Sequence, residues 1–241
     1  LHGNALQICH IGGPNVTKFD VGIPALLLYF HYQVKKRRMY EMAVLDVKNL
    51  KKIYRPRFGG NQVQALSCVN FSVEEGEYVA IMGESGSGKT TLLNIMAALD
   101  KPTEGTVLLD GKPLSSIKDK DIAQFRRDNL GFVFQEFNLL DTFNVKDNIL
   151  LPLVLKGENY KHMDSKLQPI AKELGISALL EKYPYEISGG QKQRAAVVRA
   201  LITEPRLILQ MSRQERLILV QQTNCSDCLR GSTQEVRRSL W

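Results

Sequence analysis

The chain has 241 residues, of which 44% are apolar and 24% charged, so it can bury one sizeable core and has the composition of an ordinary globular domain. Its net charge of +7 is carried largely by the two ends, because residues 1–41 hold five basic and two acidic groups and residues 210–241 hold five and three. The nearly neutral central region argues against nucleic-acid binding.

Cysteine usage is sparse and predicts a reducing, cytosolic setting without structural disulfides. The chain has four cysteines, of which Cys68 alone lies in the central region. Cys225 and Cys228 have the spacing of a redox or metal-binding pair, but neither a second pair nor a neighbouring histidine completes a zinc site. We therefore expect neither a disulfide nor a zinc site.

Residues 1–41 show no sustained periodicity and are predicted to be a leader outside the folded domain. The apolar run at residues 23–32 is shorter than the roughly 20 residues that span a bilayer. The basic cluster at residues 35–38 follows this run, whereas a signal peptide has its positive charges first. Purine-rich codons for that cluster would spell a ribosome-binding tract upstream of Met42. Our hypothesis is that translation naturally starts at Met42, and peptides from residues 1–34 in the native protein would refute it.

From residue 42 to residue 209 the chain reads as one α/β domain. Residues 44–47 and 69–73 have the apolar pattern of strands. Between them, Tyr54 falls in a basic, glycine-rich loop that runs to residue 60. An aromatic ring ahead of a phosphate loop can stack on a purine, although a plain surface tyrosine is the alternative. We expect Tyr54 to stack on the base.

Residues 83–90 read Gly-Glu-Ser-Gly-Ser-Gly-Lys-Thr, the pattern of a nucleoside triphosphate phosphate loop. An apolar strand at residues 78–82 precedes the pattern, and a helix at residues 91–99 follows it, as the motif requires. The alternative is a glycine-rich surface turn that binds nothing. The flanking strand and helix favour the phosphate loop.

The chemistry of phosphate binding explains why these residues are spaced in this way. Glycines let successive backbone N–H groups wrap around phosphate oxygens, and the helix start turns its positive dipole end toward the same anion. Lys89 should reach the β and γ phosphates, and the Thr90 hydroxyl should ligate Mg²⁺. The residues predicted to bind the nucleotide here are Gly83, Glu84, Ser85, Gly86, Ser87, Gly88, Lys89, Thr90 and Thr91.

After the first helix, the pattern alternates between strands and a helix. A turn at residues 102–105 precedes a strand at 106–109, a helix is predicted at 119–129, and a buried strand follows at 130–134. That last strand ends at Gln135. Ligands bind at the carboxyl ends of strands in α/β sheets, so Gln135 is a candidate site residue.

Residues 141–186 read as a group of helices that pack rather than catalyse. The residues expected to break these helices are Pro152, Gly157, Gly175 and Pro184. The plausible core positions are Ile170, Leu174, Leu179 and Leu180.

A second anion-binding helix start is predicted at residues 187–191. Ser188 can cap the helix, and the two glycines that follow leave its first N–H groups accessible. The helix continues to residue 201, and residues 207–209 begin another buried strand.

With both elements in place, residues 44–209 closely resemble the ATP-binding subunit of ABC transporters. Residues 187–194, Ile-Ser-Gly-Gly-Gln-Lys-Gln-Arg, look like the signature of that family, and their combination with the phosphate loop is highly specific. The resemblance implies an α/β fold of the phosphate-loop NTPase class. It comprises a parallel core sheet, an antiparallel β subdomain and a helical subdomain at about residues 141–190, and it is incomplete after Leu209.

The resemblance also implies roles, cofactors and partners. Gln135 corresponds to the glutamine that contacts Mg²⁺ and the attacking water, and Tyr54 to the adenine-stacking aromatic. The implied cofactors are ATP and Mg²⁺, and the implied catalytic residues are Lys89 and Gln135. Two subunits would form a head-to-tail sandwich in which the phosphate loop of one and the signature of the other enclose ATP. The signature residues involved are Ser188, Gly189, Gly190 and Gln191.

Finer similarity concerns the type of transporter. Residues 134–140 and 144–152 look like the subgroup that partners macrolide, lipoprotein-release and antimicrobial-peptide transporters, and above all the bacitracin-export type. This implies an ATPase that powers export or removal of antimicrobial peptides from the cytoplasmic face of the plasma membrane, with a multi-spanning permease as partner and no nucleic acid. A soluble ABC ATPase would normally have two cassettes or a coiled-coil insertion, and a small-molecule kinase would not need the signature.

The resemblance stops after Leu209. The family continues with an aspartate and a glutamate that hold Mg²⁺ through water and polarise the attacking water, but here Leu209 is followed by Gln210, Met211 and Ser212, none of which is acidic. Glu215 is too far along to replace them, and all four histidines precede the signature, so the switch histidine is absent as well. We therefore predict weak ATP binding and poor hydrolysis.

A frameshift explains this loss. The residues from Leu209 to Ile218 can be encoded by codons that, one base out of frame, read Ala-Asp-Glu-Pro-Thr-Gly-Ala-Leu-Asp, the missing acidic motif of the family. Our hypothesis is that a one-base deletion near codon 209 put residues 210–241 out of frame. The alternative to a working transporter subunit is then a non-functional remnant that at most binds ATP. True divergence of the tail is the alternative.

Overall fold

A computed structural model of the chain describes residues 6–12, 43–56, 61–211 and 217–221. Within them the chain forms two compact units, one from residues 6–123 with 211–221 and one from residues 124–210. Predictions that concern Met42, Glu215, Cys225 and Cys228 lie outside the described residues.

The elements alternate between strands and helices, as the sequence pattern predicts. The strands are β1 (Gln7–Gly12), β2 (Leu45–Tyr54), β3 (Val63–Val73), β4 (Tyr78–Met82), β5 (Glu104–Leu109), β6 (Lys112–Pro113), β7 (Leu130–Val133), β8 (Leu207–Met211) and β9 (Leu217–Gln221). The helices are α1 (Lys89–Met96), α2 (Ile122–Asn129), α3 (Val145–Lys156), α4 (Tyr160–Glu173) and α5 (Gly189–Leu201). None of these helices is both long and apolar enough to cross a bilayer.

The first unit contains the predicted antiparallel β subdomain, a four-stranded sheet in the order β3-β2-β5-β6. Its centre is β2, which pairs with both neighbours so that Leu45 lies opposite Val73 on one side and Leu109 on the other. All three side chains are buried. Because side chains alternate along a strand, this register keeps the apolar side chains together on the core face.

The strand before the phosphate loop, β4, has antiparallel neighbours on both sides in this unit. Gln7–Gly12 pair with it on one side and Leu217–Gln221 on the other. The expected core sheet is parallel, whereas the pairing of β4 with these two neighbours is antiparallel. Unpaired edges of a buried strand are costly, and β1 and β9 satisfy them. Both strands come from segments that the sequence analysis assigned to the leader and the tail, and the domain boundaries at 42 and 209 remain predictions.

Parallel pairing occurs in the second unit. β7 and β8 run parallel, with Leu130 opposite Leu207 and Val133 opposite Gln210. β7 also approaches α5 very closely, because a Cβ atom on Gly131 would lie 2.6 Å from the backbone oxygen of Ala200. Glycine is therefore required at this position, and the close packing places α5 directly against the strand that leads to Gln135.

The helical segment keeps its predicted core but not all of its predicted breaks. Ile170, Leu174, Leu179 and Leu180 are buried, as expected. α3 is not broken by Pro152, which lies inside it. A proline in a helix removes one backbone hydrogen bond, and burial of the neighbouring apolar side chains on α3 offsets that loss.

A buried asparagine on α3 fixes the chain that leads into the helix. Asn148 is 1% exposed, and its side-chain oxygen accepts from the N–H of Leu140 at 2.7 Å. Its amide donates to the carbonyl oxygens of Leu140, Phe143 and Asn144 at 2.9 to 3.0 Å. The amide oxygen and the amide N–H groups of Asn148 are thus all hydrogen-bonded, which holds the turn at residues 140–144 on the helix.

Candidate functional site

The phosphate loop lies between the end of β4 and the start of α1. The N–H of Ser87 donates to the oxygen of Glu84 at 3.1 Å, which closes a tight turn. Gly86 and Gly88 have φ values of 82° and 95°, a left-handed conformation that side chains disfavour. The two glycines therefore set the path of the loop.

Gly88 is also required by packing. A Cβ atom at this position would lie 2.3 Å from the backbone oxygen of Ala65 and 2.8 Å from Leu66 Cδ2. Both contacts are shorter than atoms tolerate. The start of α1 can therefore pack against β3 only when residue 88 is glycine, so the requirement arises from the fold of this unit as well as from the loop conformation.

Lys89 holds its charge at the centre of the loop. Its ammonium donates to the carbonyl oxygens of Gly83 and Glu84, both at 2.7 Å, and to Ser87 Oγ at 3.2 Å. An ammonium has three protons to donate, and here all three are directed at atoms of the loop. The positive charge is thus fixed where the glycine-lined backbone turns.

The beginning of α1 suits an anion. No side chain caps this helix among the described residues, and its first turn contains no acidic residue. The first N–H groups of a helix have no partner within the helix and carry its positive dipole end, so they favour a phosphate. Thr90 is exposed in this first turn and Thr91 is partly buried. The Thr90 hydroxyl and phosphate oxygens would supply the oxygen ligands that Mg²⁺ prefers.

Tyr54 ends a strand and does not lie in a loop, contrary to the sequence prediction. It is the last residue of β2 and is 40% exposed. The physical reason is that β2 continues to pair with β3 up to Val63, which lies opposite Tyr54. The ring therefore sits on an ordered strand end with part of its surface open to solvent.

Gln135 follows β7 at the carboxyl end of the strand and is exposed, as predicted from its position. The next residues form a turn in which Phe137 and Asn138 have φ values of 60° and 47°. Such left-handed residues are strained and persist only when their surroundings hold them. Arg199 of α5 does so by donating to the carbonyl oxygens of Phe137 and Asn138, both at 2.6 Å.

Arg199 was not assigned a role from the sequence. Burial lowers the pKa of its guanidinium, which nonetheless remains protonated near neutral pH. The hydrogen bonds link the helix that begins at Ser188 with the turn that carries Gln135. An arginine in the last turn of a helix has no local signal for such a role, so only the structure could show it.

The second predicted anion site begins α5. The Ser188 hydroxyl accepts from the N–H of Gln191 at 3.4 Å, and Gln191 Oε1 accepts from the N–H of Ser188 at 2.8 Å, a reciprocal capping box. Ser188, Gly189 and Gly190 are exposed. A Cβ atom on either glycine would meet nothing within 4 Å. The capped helix start thus presents an open, glycine-lined surface.

The position after Leu209 has no carboxylate. Gln210 is buried in β8 and Met211 ends that strand, so neither of its last two residues is acidic. Within the part of the chain that the structure describes, no group of three or more histidine, cysteine, aspartate or glutamate residues could hold a metal ion.

Comparison with known proteins decides the family. Residues 66–210 match the family model described as ABC transporter. The chain belongs to the ABC transporter family. It is 49% identical over 167 residues to the bacitracin export ATP-binding protein BceA of Halalkalibacterium halodurans, covering 69% of this chain and 65% of that relative. It is 51% identical over 166 residues to the ABC transporter ATP-binding protein YxdL of Bacillus subtilis, covering 69% of this chain and 63% of YxdL.

The chain is also similar to a lipoprotein-releasing system ATP-binding protein, LolD, and to solved structures of ATP-binding cassettes. The chain is 41% identical to LolD of Blochmanniella floridana, covering 69% of this chain and 70% of LolD. It is similar to the dimeric post-hydrolysis structure of the ATP-binding cassette MJ0796 bound to ADP and Pi, with a TM-score of 0.59, 35% identity and coverage of 69% and 72%. These matches confirm the predicted family and ABC fold, whereas the roles of the individual site residues stay predictions.

Proposed function

We propose that this chain is the ATP-binding and ATP-hydrolysing subunit of an ABC transporter that exports or removes antimicrobial peptides or similar amphiphiles. Similarity to a bacitracin export protein supports the substrate class. The chain spans 65% of the length of that relative, and the proposed activity rests on the residues in that span.

The observation that carries the proposal is the contrast between the two glycine-lined helix starts. Gly88 is required by the packing and backbone of its own unit. Gly189 and Gly190 are exposed, meet nothing within 4 Å and do not have positive φ values. Among the residues that the structure describes, the fold therefore gives no reason for two glycines at the start of α5. Close approach of something outside the chain does give one, because only glycine lets a ligand reach the backbone N–H groups.

The residues of the first unit would bind one ATP. The Tyr54 ring stacks on the adenine. The backbone N–H groups of Gly83–Thr90 surround the phosphates, and Lys89 turns its ammonium from the carbonyl oxygens of the loop to the β and γ phosphates. The Thr90 hydroxyl ligates Mg²⁺, which neutralises phosphate charge when bound.

A second copy of the chain would complete the site. In this arrangement Ser188, Gly189, Gly190 and Gln191 of one copy face the nucleotide held by the phosphate loop of the other. Ser188, Gly189 and Gly190 are exposed, which allows that approach, and ATP joins the two copies because it contacts both. Each copy alone has only half of the contacts, so ATP drives dimerisation.

This chain would hydrolyse ATP slowly. Gln135 can orient a water molecule, but Gln210 has no charge with which to hold Mg²⁺ through water. Phosphoryl transfer depends on positioning and charge neutralisation, so the missing carboxylates slow hydrolysis more than they weaken binding. An ATP-bound dimer should therefore accumulate.

A permease partner is supported by apolar side chains on the surface of the second unit. Tyr183 and Tyr185 stack with ring centroids 5.5 Å apart, and Tyr185 is 70% exposed. Leu140 and Phe143 are also exposed. Exposed aromatic side chains are typical of protein interfaces. Docking on a multi-spanning membrane protein would place the chain at the cytoplasmic face of the plasma membrane.

The proposal predicts that Gly189→Ala weakens ATP-driven dimerisation by about tenfold or more without loss of stability. Alanine is the better helix former and has space at this position, so the unfolding midpoint should stay the same or rise slightly. The added methyl group would keep a nucleotide from the N–H groups. Light scattering after gel filtration with ATP and Mg²⁺ measures the dimer, and thermal unfolding measures stability.

Lys161→Ala is the matched control, because Lys161 is exposed in the first turn of α4 and has no role in the proposed site. It should dimerise like the unsubstituted chain. Equal dimerisation of the Gly189→Ala variant, or an ATP-independent monomer in every case, would contradict the proposal.

A second candidate is a non-functional remnant produced by a frameshift. The match to the family model ends at residue 210, whereas the chain continues to residue 241. This difference favours the remnant. The codons of the gene test this idea. We expect the DNA around codons 205–220 to encode Ala-Asp-Glu-Pro-Thr-Gly in the neighbouring frame. Codons that cannot encode this acidic motif would exclude the frameshift.

A further inference from the structure

An acidic residue that the sequence analysis did not single out holds Tyr54 in place. The Tyr54 hydroxyl donates to Asp100 Oδ2 at 2.9 Å. Lys52 donates to Asp100 Oδ1 at 2.6 Å and to the carbonyl oxygen of Lys101 at 2.7 Å. The N–H of Lys101 also donates to Asp100 Oδ1, at 2.7 Å. One carboxylate thus joins the end of β2 to the chain that follows α1.

These hydrogen bonds keep Asp100 charged. Burial raises the pKa of this carboxyl group, but the hydrogen bonds from Lys52, Tyr54 and the Lys101 backbone outweigh burial and hold the pKa below its usual value. Charge-assisted hydrogen bonds are stronger than neutral ones. The Tyr54 ring is therefore held by a stable anion.

Lys52 restricts the faces of the ring that a base could use. Its ammonium lies over the Tyr54 ring, 4.8 Å from the centroid, in the geometry of a cation–π contact. The Lys52 side chain is only 12% exposed, so it is itself held in place. A planar base can stack only on the face that the ammonium does not cover.

The backbone of Asp100 is also hydrogen-bonded to α1, the helix that follows the phosphate loop. The N–H of Asp100 donates to the carbonyl oxygen of Asn94 in α1 at 3.2 Å, and so does the N–H of Leu99 at 2.8 Å. The eight residues of α1 rise about 12 Å, a span between its two ends that the helix keeps constant. The ring and the phosphate loop are therefore attached to opposite ends of one rigid element.

We propose that Asp100 is a positioning residue that fixes the Tyr54 ring as a platform for the purine of the nucleotide, at a set distance from the phosphate loop. This inference rests on the proposed function, because it deepens the description of the same ATP site. Ordering the ring before ATP arrives removes an entropic cost of binding. Asp100 contributes to recognition of the base and not to recognition of the phosphates.

The test compares ATP with inorganic tripolyphosphate, which has the phosphates but no base. The full chain and its variants are titrated with each by calorimetry. Tyr54→Phe keeps the ring and removes its hydroxyl, and Asp100→Ala removes the acceptor. We expect each variant to bind ATP about threefold to tenfold more weakly and tripolyphosphate as tightly as the unsubstituted chain does. Both changes break the hydrogen bond between Tyr54 and Asp100, and Asp100→Ala also removes the bonds from Lys52 and Lys101. The double variant should therefore lose no more ATP affinity than Asp100→Ala alone.

Asp119→Ala is the matched control, since it removes another carboxylate near Lys101 that has no contact with Tyr54. It should leave both affinities unchanged. If Tyr54→Phe loses ATP affinity and tripolyphosphate affinity equally, or loses neither, the positioning role of Asp100 is wrong. The proposed function would not be affected by that result. Absence of ATP binding by the unsubstituted chain would overturn the proposed function and this inference with it. Thermal unfolding of Tyr54→Phe identifies any loss that comes from instability.

Discussion

Replacing residues 210–218 with Ala-Asp-Glu-Pro-Thr-Gly-Ala-Leu-Asp is expected to raise Mg²⁺-dependent ATP hydrolysis by about 100-fold or more. In the chain as it stands, Gln210 and Met211 are the last two residues of β8, and neither carries a negative charge. The replacement places an aspartate and a glutamate where phosphoryl transfer needs a metal-holding group and a water-orienting group. Phosphate release at saturating ATP, with and without Mg²⁺, measures the effect.

A second replacement, with glutamine in place of the glutamate, is the control. It should bind ATP as the first replacement does but hydrolyse it slowly, because the group that polarises water is neutral. Measuring ATP affinity separately from the rate distinguishes lost chemistry from lost binding. Hydrolysis by the unaltered chain at the rate of the acidic replacement would show that the missing carboxylates are not limiting.

Lys89→Ala is expected to weaken ATP binding by about 30-fold to 100-fold. The substitution removes a charged donor that is held at the centre of the phosphate loop. A hydrogen bond to a charged group contributes roughly 1.5 to 3 kcal/mol, and about 1.4 kcal/mol corresponds to a tenfold change in affinity. Calorimetric titration with ATP and Mg²⁺ measures the loss.

Lys101→Ala provides the comparison, because Lys101 is an exposed lysine of the same unit that pairs with the exposed Asp119. Surface pairs of this kind contribute little, so ATP affinity and stability should be nearly unchanged. If both lysine variants lose affinity equally, the effect is one of general charge and the specific role of Lys89 is wrong. Lys89→Arg should fall between the two, since it keeps the charge but not the compact shape.

The phosphate loop could be predicted in detail because its chemistry is local. Gly86 and Gly88 adopt a left-handed backbone conformation, and glycine is the residue type that adopts this conformation readily. Ser188 caps α5 for a similarly local reason, since its partner Gln191 is three residues away. The family, the two helix starts and the alternation of strands and helices therefore follow from residue order.

The interpretation of Tyr54 shows where local patterns mislead. The basic, glycine-rich residues that follow it predict a loop, but pairing with β3 extends β2 to this residue. Pro152 gives the same lesson, because the buried side chains around it keep α3 continuous. Local propensity was overridden in both cases by contacts made with other parts of the chain.

The sequence by itself determined the family, the glycine-rich loop at residues 83–90 and the lack of an acidic pair directly after Leu209, because each depends on residue type at short spacing. Only the tertiary structure showed that Asp100 holds Tyr54 from 46 residues away and that Arg199 holds the Gln135 turn from 61 residues away. The physical reason is that these hydrogen bonds form only after distant segments pack together. No local sequence pattern shows which distant residue a carboxylate or guanidinium on the surface of a helix or strand will contact.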